Sequence, residues 1–367
     1  MRTKNKAARH VGHTPECRGW TSRAIEMIEQ DKPAEETPLR RIKLNDEFNV
    51  NLYLKDESVH ATGSLKHRLA RSLFIYGLVN GWIEKGTAIV EASSGSTAVS
   101  EAYYAALLGL PFIAVVPKST SQEKVALIEQ HGGQVHFVNT PSEVYEVAEQ
   151  LAEENHGHFM NQFKYAERAT DWRGNHNIAH AIFDQIQDVE KEYPEWVVAA
   201  AGTGGTSATI GRYARYLGLP TRLCVVDPEN SSFYPAWMNK DISISTQQAS
   251  RIEGIGRPQV EESFIPGVID TMIKVPDAAS IAAMRYLHEA AGIYAGPSTG
   301  TNLWGVVNLA EHMKFRGRPG SIISLICDGG ERYEDTYYND SWLAENNIDI
   351  TPFLDYLRKT EFIKELS

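Results

Sequence analysis

From residue 87 onward the chain alternates short apolar, β-branched runs with segments of helical period, and this alternation confines it to an α/β architecture. TAIVEA (87–92) precedes a helical pattern over 97–108 that stops at Gly109; FIAVVP (112–117) precedes one over 121–130, and QVHFV (134–138) one over 141–154. Strands joined by helices pair in parallel through right-handed crossovers. After a polar stretch at 161–175 the pattern resumes. WVVAAA (196–201) runs into GTGGT and a helix from Ser207, while RLCVV (222–226), TMIKV (271–275) and IISLIC (322–327) read as buried strands. Two α/β halves follow. The long polar segment 227–270 reads as a functional or interfacial loop, and the helical pattern at 351–362 as a C-terminal appendage.

Composition narrows the ligand. Thirty-six Lys and Arg against 47 Asp and Glu leave a net charge of −11, which disfavours nucleic acid or an anionic membrane as partner. No run reaches the ~18 apolar residues of a membrane span, and the basic start MRTKNKAARH lacks the apolar stretch of a signal peptide, so a cytoplasmic location is expected. Cys17, Cys224 and Cys327 are too scattered for a disulfide framework or a CxxC zinc site. Reduced, mostly buried thiols and no metal are the expectation.

Three short constellations carry chemistry. In Gly202-Thr203-Gly204-Gly205-Thr206, glycines follow a strand and open a helix, so backbone N–H groups can converge on an anion. The spacing matches neither a Walker A loop nor GxGxxG, which favours a phosphate monoester over a nucleotide; an ordinary tight βα turn is the alternative. In Thr62-Gly63-Ser64-Leu65-Lys66-His67-Arg68, preceded by Lys55-Asp56-Glu57, Ser64 can cap a helix whose first turn holds Lys66. The positive end of a helix dipole favours loss of an ammonium proton, and a neutral amine is what Schiff-base chemistry requires. A lysine in that place can equally be a solvated helix residue. Ser93-Ser94-Gly95-Ser96-Thr97 again lies between strand and helix, either a cradle for a carboxylate or a serine-rich cap.

Taken in order, Thr37-Pro38-Leu39, KDE with TGSLKHR, SSGST, GTGGT, EGIG (253–256), GPSTG (296–300) and DGGERY (328–333) resemble the fold-type II pyridoxal phosphate (PLP) enzymes. The closest branch is that of cysteine synthase and cystathionine β-synthase, and the resemblance runs from about residue 37 to residue 333. It implies a tryptophan synthase β-like fold of two three-layer αβα domains with mostly parallel sheets. Residues 1–65 and 181–367 would form the larger, phosphate-binding domain with both terminal appendages. Residues 66–180 would form a smaller, mobile domain. The resemblance makes Lys66 the Schiff-base lysine and the acid/base at Cα, and Gly202, Thr203, Gly204, Gly205 and Thr206 the phosphate cup. Ser93, Ser94, Gly95, Ser96 and Thr97, joined by Gln162, become the substrate-carboxylate loop. Ser298 becomes a neutral hydroxyl beside the pyridine nitrogen, suited to β-elimination.

Two departures refine the subgroup. Relatives carry Asn, reaching the ring hydroxyl, where this chain has Ser96, and synthases follow GIG with a small residue where this chain has Arg257-Pro258. Arg257 is a fixed cation near the expected mouth, either recognising an anionic group or pairing with Glu261 or Glu262. Only 34 residues (367 − 333) follow Tyr333, too few for a tandem regulatory module. The pattern is similar to the L-cysteine desulfhydrase subgroup. A homodimer using pyridoxal 5'-phosphate on a small amino acid is implied, with L-cysteine as substrate for elimination; O-acetylserine as substrate of a cysteine synthase and a catalytically idle scaffold are the alternatives.

Overall fold

The computed structural model describes residues 15–31, 35–174, 176–248 and 250–364; the basic start of the chain and the rest of residues 1–14 lie outside the described residues. The elements run α1 (Pro15–Gln30), β1 (Leu39–Ile42), β2 (Val50–Asp56), α2 (Lys66–Val79), β3 (Ile89–Glu91), α3 (Ser96–Leu107), β4 (Phe112–Pro117) and α4 (Gln122–Gln130). Then come β5 (Gln134–Val138), α5 (Val144–Glu154), β6 (His158–Phe159), α6 (Gln162–Ala169), α7 (Ile178–Val189), β7 (Trp196–Ala200), α8 (Gly205–Tyr216), β8 (Arg222–Pro228) and α9 (Phe233–Asn239). The chain ends with β9 (Thr271–Val275), α10 (Asp277–Ala291), α11 (Pro297–Phe315), β10 (Gly320–Ile326), α12 (Asp340–Glu345) and α13 (Thr351–Thr360).

The strands form two sheets, one of six in the order β1-β2-β10-β7-β8-β9 and one of four in the order β5-β4-β3-β6. Every pairing is parallel except β1 with β2. Both faces of the larger sheet are covered. Val198, Cys224, Val226 and Ile322 pack towards α10 and α11, while Val197, Ala199, Val225 and Ile323 pack towards α7 and α8. Residues alternate between faces along a strand, so burial on both sides explains why these strands read as unbroken apolar runs. In the smaller sheet Ile89 joins a core with α2 and α3, and Val90 one with α5. This is the expected α/β class, two three-layer units with mostly parallel sheets.

Several elements depart from the sequence expectation. β2 (VNLYLKD) carries Asn, Tyr, Lys and Asp into a mostly buried strand, so its apolar signal is broken. The polar stretch at 161–175 contains α6, capped by Asn161, whose side chain accepts the Lys164 N–H. The loop 227–270 holds the short helix α9. The presumed C-terminal appendage is docked: Leu357, Phe362 and Ile363 belong to the larger core, and Lys364 N–H donates to Lys43 O (2.8 Å). Ala24 and Ile28 of α1 pack into the core of the smaller sheet, whereas the expected boundary put residues 1–65 with the larger one.

Candidate active site

Because β2, β10 and β7 are parallel neighbours, the loops that leave them emerge on one edge of the sheet, the place where open α/β sheets bind ligands. Short contacts fasten the loops together. Leu65 N–H donates to Cys327 O (2.8 Å), and Ser64 bridges Asp328, which brings the turn before α2 onto the end of β10. Gly296 N–H donates to Asp328 O (3.2 Å), which sets the start of α11 and Ser298 against the same segment. Gly256 N–H donates to Ala201 O (2.8 Å), laying the EGIG loop over the glycine turn after β7.

Lys66 is the first residue of α2, with Ser64 Oγ accepting its N–H at 3.3 Å. A buried ionic network fixes this turn. Arg68 Nε donates to Glu57 Oε2 (2.6 Å), Arg68 Nη2 donates to Thr37 Oγ1 (2.9 Å) and also reaches Glu36, and Thr37 Oγ1 donates to Glu57 Oε1 (2.7 Å). Burial alone would raise the Glu57 carboxyl, but Arg68 and His60 hold it well below the usual range. His67 packs between the hydroxyls of Thr62 (3.3 Å) and Tyr104 (2.9 Å), and burial pushes its pKa down to about 3, so the ring is neutral. Lys55 is fully buried, donates to Gln185 Oε1 (2.7 Å) and to Thr37 O, and has its pKa lowered to about 8 by burial. The charged residues around the lysine motif are thus the frame of the helix start. Burial also lowers the pKa of Lys66 itself, against the pull of Cys327 and Asp328.

Ser298 is buried and hydrogen-bonds the Cys327 thiol, which also accepts from Asn302 Nδ2 (3.3 Å); burial pushes that thiol up to about 12, so it stays protonated. Asp328 accepts from the Tyr333 hydroxyl (2.6 Å), while its buried Oδ1 has no hydrogen-bond partner among the described residues. Burial raises its carboxyl to about 6, opposed by Tyr333, Arg332 and Lys66.

The GTGGT turn links β7 to α8. Gly204 has φ +90°, and the first-turn N–H groups of α8 have no intrahelical acceptor, which is the geometry of an anion cradle. Thr203 Oγ1 accepts the Gly205 N–H (3.1 Å). The glycines answer to more than an anion. A Cβ at Gly204 would lie 2.6 Å from Phe264 Cα, one at Gly202 would lie 2.2 Å from Gly254 O, and one at Gly205 would lie 2.9 Å from Ala166 Cβ. Side chains at Gly204 or Gly205 would therefore strike the neighbouring loop and α6.

Ser93, Ser94 and Ser96 are half-buried and Gly95 is exposed ahead of α3. Thr97 Oγ1 donates to Gln162 Oε1 (2.7 Å), so α3 and α6 bring these residues together. Ser96 Oγ accepts from Arg332 Nη1 (2.6 Å), and Arg332 Nη2 donates to Thr62 O (2.7 Å). Arg257 Nε pairs with Glu261 (2.7 Å), its Nη2 donates to the Tyr145 hydroxyl (3.1 Å), and its guanidinium lies 4.1 Å from the Phe163 ring centre. Of the two sequence readings of Arg257, pairing with Glu261 is the one the geometry supplies. Arg332 and Asp328 stand at the same edge without being singled out by the sequence, although both lie in the DGGERY string; charged residues directly after a central strand are the available signal.

The edge now offers an anion cradle, a buried amine of lowered pKa and a neutral hydroxyl, a donor set that fits a phosphorylated pyridine aldehyde. The sequence matches the family of pyridoxal-phosphate dependent enzymes over residues 31–328. The chain belongs to that family. As a pyridoxal-phosphate dependent enzyme it is 58% identical over 337 residues to L-cysteine desulfhydrase Cds1 of Mycobacterium tuberculosis, covering 90% of this chain and 92% of the relative. A cysteine synthase of Dictyostelium discoideum is 28% identical, with 86% of this chain and 85% of the relative covered. Among solved structures, a hydrogen sulfide-producing enzyme superimposes with a TM-score of 0.73 at 25% identity, covering 85% of this chain and 91% of the other. O-ureido-L-serine synthase, at 24% identity, shares the fold with a TM-score of 0.72 over 88% of this chain and 98% of the other. The cofactor of this PLP-dependent enzyme is pyridoxal 5'-phosphate.

Proposed function

We propose that the protein is an L-cysteine desulfhydrase that converts L-cysteine and water to sulfide, pyruvate and ammonia. The observation that carries this is the 58% identity to a desulfhydrase across nine-tenths of both chains. When bound, pyridoxal phosphate supplies a sink for the electron pair left at the substrate Cα. Lys66 holds the cofactor and its neutral amine takes the Cα proton, a role that its buried, lowered pKa favours. Gly202, Thr203, Gly204, Gly205 and Thr206 would hold the phosphate, Ser298 would supply a neutral hydroxyl to the ring nitrogen, and Ser96, steadied by Arg332, would supply one to the ring hydroxyl. Ser93, Ser94, Gly95 and Thr97, with Gln162, hold the substrate carboxylate and so direct Cα towards Lys66. Sulfur leaves Cβ with its bonding pair, and one water is consumed in releasing pyruvate and ammonia.

The halves divide the labour in this reading. Residues 66–170 together with α1 form the smaller, mobile unit that carries the carboxylate loop, a division supported by their shared apolar core. The rest of the chain forms the larger unit. A homodimer is supported by the family resemblance. A cytoplasmic location is supported by three cysteines left as free thiols.

Steady-state assay of the purified holoenzyme tests the reading. L-cysteine alone should turn over continuously. A kcat/KM for O-acetylserine plus sulfide at least tenfold above that for cysteine, roughly 1.4 kcal/mol of transition-state preference, would make the protein a synthase instead.

A further inference from the structure

Behind the carboxylate loop lie two acids that the mechanism above does not use. Glu91 ends β3, Glu101 occupies the second turn of α3, and both are fully buried. Glu91 Oε1 accepts the N–H of Ala92 (2.7 Å) and Oε2 accepts the N–H of Gln162 (3.1 Å). The two carboxyls contact each other, yet among the described residues neither oxygen of Glu101 meets a donor. An ionised Glu101 would therefore hold an unsatisfied charge away from water and beside a second one, a costly arrangement. One proton on Glu101 removes both defects, because it neutralises the group and gives Glu91 an O–H donor.

Glu91 then joins the two pieces of the cradle. Ala92 N–H opens the loop 93–97, Gln162 N–H opens α6, and the Gln162 side chain returns to Thr97. We propose that Glu101 and Glu91 form a proton-sharing carboxyl pair that positions the substrate-carboxylate cradle by fixing loop 93–97 against Gln162. The inference rests on the assignment of that cradle under the proposed function.

Burial raises Glu101 well above the ordinary carboxylate range and Glu91 to about 7. The pair therefore gains its second proton, on Glu91, as pH falls through neutrality. Tyr145 of α5 also feels the charge of Glu91; it is held by Arg257, and burial keeps its hydroxyl protonated. Helices α2 and α4 contribute Ala70, Leu73, Phe74 and Ile128 to the core around α3. Ionised Glu91 also repels an incoming carboxylate, but two N–H groups stand on its oxygens, and charge-assisted bonds are about twice as strong as neutral ones. The grip wins, so binding should weaken as Glu91 protonates.

The test uses the holoenzyme with L-alanine, which has no leaving group at Cβ, and ethylamine, which has no carboxylate, reading dissociation constants from the cofactor absorbance. In the wild type, alanine affinity relative to ethylamine should fall about threefold from pH 8 to pH 6. Glu91→Gln should lower that ratio about tenfold at pH 8, because its amide turns a donor towards one of the two N–H groups. Glu101→Gln keeps a donor to Glu91 and leaves Glu91 to titrate, so the ratio and its pH dependence should both stay while the infrared band of protonated carboxyl at pH 8 disappears; Glu91→Gln should lose the pH dependence. Wild-type alanine affinity or a retained pH dependence in Glu91→Gln, or a protonated-carboxyl band at pH 8 unchanged in Glu101→Gln, overturns the proposal. If neither variant folds, the wild-type ratio decides, and independence from pH between 6 and 8 overturns it. Alanine undergoes no elimination, so failure here leaves the desulfhydrase reading standing, and failure of sulfide production with normal alanine binding leaves the pair standing.

Discussion

Lys66 has a different electrostatic setting from a solvated helix lysine. Burial lowers its pKa while Asp328, ionised above about pH 6, supports the ammonium. Replacing Asp328 with Asn removes that support and lowers the amine pKa further, so a larger fraction of Lys66 is neutral at a given pH. The acid limb of kcat should move to lower pH in Asp328→Asn; an unmoved limb would show that the charge is not felt at the amine. Arg332 reaches Ser96 Oγ and Thr62 O with separate nitrogens, a fork that lysine cannot reproduce. Arg332→Lys should raise KM for cysteine about tenfold, the scale of one lost charge-assisted bond, with thermal stability nearly unchanged. Equal KM values would remove Arg332 from the site. At this scale the sequence was informative wherever contiguous residues build one turn, as TGSLK does at the start of α2 and GTGGT between β7 and α8. It was silent on Glu91 with Glu101 and on Arg332 with Ser96, because those contacts join a strand to a helix and a loop to a helix start far away in the chain.

Among the elements, the glycine turns separate requirements of the fold from those of the ligand. Gly204 combines φ +90° with a Cβ direction blocked by Phe264 and Ser263 backbone. Gly204→Ala should destabilise the apoprotein by about 2 kcal/mol or more, in addition to weakening cofactor binding. Gly95 has φ −107°, is exposed, and has open space where a Cβ would sit. Gly95→Ala should change stability by less than about 0.5 kcal/mol. Thermal denaturation of the two apoproteins checks the pair; equal losses would mean that loop 93–97 also bears on folding. The same physics explains which elements were legible. β7, β8, β9 and β10 are sandwiched by helices and read as apolar runs. β2 is as buried but spends Lys55 and Asp56 on ion pairs and hydrogen bonds, and α6 is polar because it faces the cradle and a salt-bridged surface, so composition concealed both.

Across the whole molecule, two sheets with separate cores meet through polar crossings that include Arg332 to Ser96, Arg212 to Glu167, and Arg257 to Tyr145 and Phe163. In the proposed reading of a mobile small unit, such a junction would let that unit settle onto a bound amino acid, and a ligand bound only by the native state raises the unfolding temperature. L-alanine should raise the melting temperature of the holoenzyme, and less so in Arg257→Ala; an identical shift in both would show that this crossing plays no part in closure. The account's centre is the edge-assembled site around Lys66, and the chain contains its own control. Lys55 is also buried with a lowered pKa, yet its amine is engaged by Thr37 and Gln185. Borohydride reduction of the holoenzyme followed by peptide mapping separates the two lysines. A phosphopyridoxyl group on Lys66 alone is the predicted result, and a label on Lys55 or any other lysine would contradict the account.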